Sequence, residues 1–165
     1  MSKNNRTKVR VSTGYAVLIA LLISAGVVGA GSLLLGQKSA HAADVVVYKS
    51  STCGCCKKWV THLEQNGYAV EVHNESRSQL SSIKAGMGVP RDLQSCHTAK
   101  IGGYIIEGHV PADVIARLLK EKPQIKGLAV PGMPMGSPGM EGPRKDSYDI
   151  LALEENGKTS IFASK

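Results

Sequence analysis

Cys53, Cys55 and Cys56 stand within four positions of one another, and they are three of the four cysteines in the chain. A thiolate is both a nucleophile and a soft metal ligand, so such a cluster points to one of two chemistries. Cys53 and Cys56 have the C-x-x-C spacing of thiol redox proteins. Cys55, inside that pair, makes a simple disulfide ambiguous and suits a metal that takes several sulfurs. A purely structural disulfide is the remaining alternative, and adjacent cysteines are rarely needed for one.

The elements around the cluster position it. The apolar run Val45-Val46-Val47-Tyr48 reads as a buried strand, and the segment from about Cys56 to Asn66 reads as a helix with Trp59, Val60 and Leu63 on one face. The thiols therefore gather at a helix N-terminus, where free N–H groups and the positive end of the dipole favour anions. Asn66-Gly67 stops the helix, and the alternation of residues 68–73 gives a second strand. Ser76 or Ser78 caps a second helix, with Leu80, Ile83 and Met87 on its apolar side and Gly86 and Gly88 at its end. Residues 88–93 read as a turn with one helical turn. Segments 96–101 and 104–107 then flank Gly102-Gly103, a hairpin signal. Pro111 opens a third helix, with Val114, Ile115, Leu118 and Leu119 as its stripe and Pro123 as its stop.

The order βαβα followed by ββα resembles the thioredoxin-like fold, with a cysteine motif at the first strand–helix junction. In that fold the loop entering the third strand lies against the cysteine motif and usually carries a proline. Here the place is taken by Ser95-Cys96-His97. The resemblance therefore implies that Cys96 is the fourth thiol of the site.

Residues 127–143 contain Pro-Gly-Met twice, at 131–133 and 138–140, with Met135 between. Gly and Pro disfavour a regular element, and the stretch reads as a long loop, a place where function often resides. The C-terminal segments 148–153 and 158–162 flank a turn at Asn156-Gly157 and read as a hairpin that pins the loop. Thioethers bind Cu(I) well and zinc poorly, so Met133, Met135 and Met140 tilt the choice among soft metals toward copper; zinc and iron–sulfur clusters are the competitors. Filling a hydrophobic gap is the alternative role for these methionines. His97 is a further candidate ligand, although neighbours on an alternating strand face opposite ways, which turns it from the site if Cys96 faces it. His62, His73 and His109 stand singly, and surface or core roles suit them better.

The formal charge of +7 invites a nucleic-acid reading, but five of the 20 Lys and Arg precede residue 43. The remaining 15 face 13 Asp and Glu, a balance of +2 with the signs interspersed, which removes the support for nucleic acid as a partner. The first 42 residues are a leader: a basic stretch, an uncharged apolar run at 15–35, and Ala40-His41-Ala42 with the small-x-small pattern of a cleavage site. The apolar run is long enough to span a bilayer at roughly 20 residues. The sequence predicts an exported, cleaved domain over 43–165, with an uncleaved membrane anchor as the alternative. Either way positive flanks stay inside, and the domain lies in the periplasm or cell envelope.

Four ordered stretches resemble one family. They are Cys53-Gly54-Cys55-Cys56; Val89-Pro90 through Leu93 to Ser95-Cys96-His97-Thr98-Ala99; Ile106-Glu107-Gly108-His109-Val110-Pro111-Ala112; and Ala129-Val130-Pro131-Gly132-Met133-Pro134 through Gly136-Ser137-Pro138-Gly139-Met140. Together they resemble the CopG-like family of bacterial periplasmic metal-binding proteins linked to copper resistance. The resemblance implies a thioredoxin-like domain that binds Cu(I), several ions in a cysteine cluster, with redox exchange of copper; the expected partners are other envelope copper-handling proteins. Its cysteines map onto Cys53, Cys55, Cys56 and Cys96, and its Met-rich segment onto Met133, Met135 and Met140. A copper-binding protein is the first reading and a thiol–disulfide oxidoreductase using Cys53 and Cys56 the second. A structural zinc domain is the third. Cys55 and Cys96 separate the first two, because a reductase needs neither.

Overall fold

The computed structural model describes residues 44–165. The leader and its predicted cleavage site lie outside the described residues. Among the described residues no helix is long and apolar enough to cross a membrane.

Strand β1, Val45–Lys49, runs through the interior with Val45 and Val47 buried. Cys53 caps helix α1, Gly54–Gln65, which buries Cys56, Trp59, Val60 and Leu63 against the sheet. That spacing of three, four and seven residues is one helical face. Strand β2, Val70–Asn74, pairs in parallel with β1 at the sheet edge. Helix α2, Arg77–Gly86, starts at Ser76, whose hydroxyl and the Gln79 side chain form a reciprocal capping box. After one 3-10 turn at Arg91–Leu93, β3 (His97–Ile101) and β4 (Tyr104–Gly108) form the expected hairpin. Its turn residues Gly102 and Gly103 both have positive φ, 54° and 89°, which a tight hairpin turn between right-twisted strands requires. Pro111 stands one position before helix α3, Ala112–Glu121, which buries Val114, Ile115 and Leu118.

One expectation is corrected. The stretch 127–143 reads in the sequence as a loop throughout, but its first four residues form strand β5, Gly127–Val130, parallel to β4 and wholly buried. Glycine here serves close packing rather than irregularity. A Cβ on Gly127 would stand 1.9 Å from the Ile105 carbonyl oxygen, so no larger residue lets the two strands approach this closely. The loop proper begins at Pro131. Strands β6 (Asp149–Leu153) and β7 (Thr159–Ser164) form the C-terminal hairpin and extend the sheet beyond β5.

The result is one seven-stranded sheet in the order β2-β1-β3-β4-β5-β6-β7. The β2-β1-β3-β4 part, with α1, α2 and α3, has the thioredoxin-like arrangement. The main core includes Trp59, Leu63, Ile106, Ile115, Leu118, Leu128 and Ile150, and the cysteine motif stands at one end of it.

Candidate metal centre

The chain leaves β1 through Ser50–Thr52 and turns into α1 at Cys53. The Cys53 sulfur accepts a hydrogen bond from the Cys56 N–H at 3.3 Å, so the first cysteine acts as the N-cap. Cys53 and Cys56 are joined by a disulfide, with Cα atoms 5.4 Å apart. Cys55 and Cys96 are free thiols. The Cys55 sulfur lies 3.5 Å from that of Cys53 and 3.8 Å from that of Cys96. All four sulfurs lie within 4.8 Å of one another. Cys96 reaches this place from the bend before β3, the seat implied by the thioredoxin-like resemblance.

The histidines divide differently from the expectation of isolated roles. His109, which follows β4, places Nε2 3.4 Å from the Cys96 sulfur. Its Nδ1–H donates to the Pro138 carbonyl at 2.7 Å, which leaves the lone pair of the neutral ring on Nε2 and aimed at the thiol. Burial holds the His109 pKa below its ordinary value, and so favours that neutral form. The hairpin register contains the signal for this placement. Thr98 pairs with Glu107, and two residues further out Cys96 faces His109.

His97 does not turn away from the site as strict alternation demands. Cys96 precedes the strand, so alternation begins only at His97. The His97 ring is fully buried, 4.4 Å from the Trp59 ring and 4.9 Å from that of His109 between centroids. Its Nδ1 lies 3.9 Å from the Cys96 sulfur, and its Nε2 has no hydrogen-bond partner. Burial first, and the neighbouring His109 second, push its pKa well below the usual value. His62 accepts the Ala112 N–H at 3.1 Å, and His73 pairs with Glu71 on the surface.

The three methionines are not equivalent. Met133 brings its sulfur to 3.3 Å from that of Cys96, and 39% of the residue is exposed. Met135 is turned into its own loop: its methyl occupies the space that a Cβ on Gly142 would need, and its backbone is tied to Asp146. Met140 is half-buried, and its backbone closes a turn with Gly136 and Ser137. Between them the loop descends onto the site. A Cβ on Gly139 would come within 2.6 Å of the Cys55 carbonyl oxygen and 3.0 Å of the Trp59 nitrogen, so only glycine allows this contact with the first turn of α1.

A buried ion pair fixes the segment that carries Cys96. Lys84 of α2 meets Glu107 of β4 at 2.5 Å, with side chains 4% and 0% exposed. The same Glu107 oxygen accepts the Ser95 N–H at 2.6 Å. Sequence reading missed this pair, because a lysine on a helix and a glutamate on a strand look like surface residues until the elements are assembled.

Burial, followed by the adjacent Cys55, pushes the Cys96 thiol up to about 12. Lys84 pulls the other way but more weakly, so Cys96 keeps its proton near neutral pH and a metal must displace it. The donors gathered around Cys96 are the sulfurs of Cys53, Cys55, Cys56 and Met133 and the imidazoles of His97 and His109; no carboxylate stands among them. Such a set fits a soft ion and suits a hard one poorly.

Comparison with known proteins adds two findings. Residues 93–140 match a family model described as a protein of unknown function, DUF411. Two solved structures, both named copper resistance protein CopG, are similar. Form 2 is 46% identical, covering 73% of this chain and 96% of that chain with a TM-score of 0.69. Form 1 is also 46% identical, covering 73% and 95% with a TM-score of 0.68. No curated protein matches.

Proposed function

The chain belongs to the CopG family of copper resistance proteins, and from that premise we propose that it is an exported protein holding Cu(I) in a cysteine cluster. The observation that carries the reading is the convergence of four sulfurs within 4.8 Å at the start of α1. Reduction of the Cys53–Cys56 disulfide frees all four as thiolate ligands, and bridging sulfurs then serve more than one ion. Met133 and His109 stand at the rim and inner wall as weaker donors, which suits an ion that must leave as well as arrive. The leader directs the domain to the periplasm or envelope, where other copper-handling proteins give and take the metal. An intact leader on protein from the envelope fraction would make it a membrane anchor instead.

The bond between Cys53 and Cys56 gives the oxidoreductase reading its own support. The two readings join in redox exchange: two cysteine thiols give two electrons to two Cu(II) ions, forming one disulfide and two Cu(I) ions and releasing two protons. Titration of the fully reduced and the disulfide forms with Cu(I) tests the proposal. The reduced form is expected to bind more than one ion per chain and the disulfide form fewer. Equal uptake by both forms would remove the four-thiol cluster, and rapid insulin reduction that persists in Cys55→Ser would favour the oxidoreductase.

A further inference from the structure

A cleft of about 340 Å³ opens beside Cys96, lined by Ser50, Thr52, Arg77, Leu80 and Ser95. A second cavity of about 240 Å³ shares Arg77, Leu80 and Ser95 and continues along α2 to Lys84 and Gln94. The lining therefore combines hydroxyls, the apolar Leu80 side chain and the Arg77 cation, and the first cleft ends on the Cys96 sulfur. No Asp or Glu lines either cavity. Lys84 is neutralised by Glu107, but Arg77 is exposed and has no acidic partner within 4.0 Å among the described residues. Its charge is free to meet an anion entering the cleft.

The sulfur end leads to the disulfide. The nearest cysteine sulfur to Cys96 is Cys55 at 3.8 Å, Cys53 is 3.5 Å beyond it, and both disulfide sulfurs lie within 4.8 Å of Cys96. We propose that this cleft is the binding site of a small thiol bearing a carboxylate, held by Arg77 with its sulfur toward Cys96, and that this thiol reduces the Cys53–Cys56 disulfide. The volume suits a small molecule rather than a folded partner. The incoming thiolate attacks one sulfur of the disulfide. The protein S–S bond breaks, a mixed disulfide forms, and the other cysteine leaves as a thiolate that takes up a proton. A second molecule of the thiol attacks the mixed disulfide, frees the first cysteine, and departs as the small-molecule disulfide. Two small thiols are oxidised and one protein disulfide is reduced.

The inference rests on the copper reading for its purpose, since the four-thiol cluster needs this reduction, but its test contains no copper. The copper-free, oxidised protein is reduced with 3-mercaptopropionate, its neutral amide, or cationic 2-aminoethanethiol, and rate constants are expressed per thiolate. The anionic thiol is expected to react fastest. Arg77→Gln should slow it about fivefold, the scale of one charge–charge contact at a wet surface, and leave the neutral thiol within twofold. Arg77→Glu places a carboxylate in the first turn of α2, where the helix tolerates it, and should make the cationic thiol the fastest. Lys58→Gln, outside the cleft, should change nothing. Rates indifferent to both Arg77 variants would overturn the assignment, as would an equal effect of Lys58→Gln, which would mark a general surface field. Either outcome would leave the copper reading standing, because Cu(I) binding to chemically reduced protein is measured separately.

Discussion

The Nε2 of His109 stands 3.4 Å from the sulfur of Cys96, while the Nδ1–H on the other side of the ring is held by the carbonyl of Pro138. The metal-site loop and the thiol are thus joined through one imidazole. We predict that His109→Leu weakens Cu(I) binding about ten- to a hundredfold, the range found when a group orienting a metal site is removed. Competition with a chromophoric Cu(I) chelator measures it. An affinity within twofold of the wild type would make His109 a packing residue.

The methionine loop gives a sharper contrast than three equal ligands would. Only Met133 brings its sulfur against Cys96, whereas Met135 is folded over Gly142. Met133→Leu keeps size and apolarity, so stability should change by less than about 0.5 kcal/mol. Transfer of Cu(I) to a chelator should change rate in Met133→Leu and stay unchanged in Met135→Leu. Equal behaviour of the two variants would return Met133 to packing.

The buried pair of Lys84 and Glu107 predicts a different signature. Lys84→Met strands the Glu107 carboxylate in the interior and should cost about 3–5 kcal/mol in denaturant unfolding. The double variant Lys84→Met, Glu107→Leu removes both charges and should recover much of that loss. It still lacks the acceptor for the Ser95 N–H, so Cu(I) affinity should remain below the wild type even where stability returns. A double variant no more stable than the single one would contradict the ion-pair account.

His97 makes the copper-free fold sensitive to acid. Its folded pKa lies well below the ordinary 6.5 because the ring is buried. The unfolded chain takes up a proton as pH falls through about 6.5 and the folded protein does not. Its stabilising effect is therefore complete above that pH and lost progressively below it, at about 1.4 kcal/mol per pH unit. Denaturant unfolding between pH 7.5 and about pH 5.5 should show this loss, to which His62 and His109, also lowered by burial, add in the same direction, above the range where the depressed carboxyls of Asp113 and Glu141 act. His97→Phe should make the dependence shallower. A pH-independent midpoint over that window would contradict it.

Most of the frame was legible because local rules agree with the fold. The Val45–Tyr48 run, the Asn66-Gly67 stop, the Ser76 cap and the Gly102-Gly103 turn each have a local physical cause. Gly127–Val130 was missed because glycine is ambiguous: it marks both loops and places where two backbones must touch. His109 was missed through treating histidines one by one, although continuing the hairpin pairing would have set it against Cys96. The Lys84–Glu107 pair and the turn of Met135 away from the thiols depend on how helix, strand and loop assemble, and no local pattern carries that information.

The central claim is that Cys55 and Cys96 complete a copper-binding cluster rather than accompany a redox pair. It is tested most directly by Cu(I) titration of the fully reduced wild type, Cys55→Ser and Cys96→Ser under anaerobic conditions. The wild type is predicted to bind more than one ion per chain, and each variant to lose stoichiometry or affinity while Cys53 and Cys56 still form their disulfide on oxidation. Two variants that bind Cu(I) like the wild type would contradict the account.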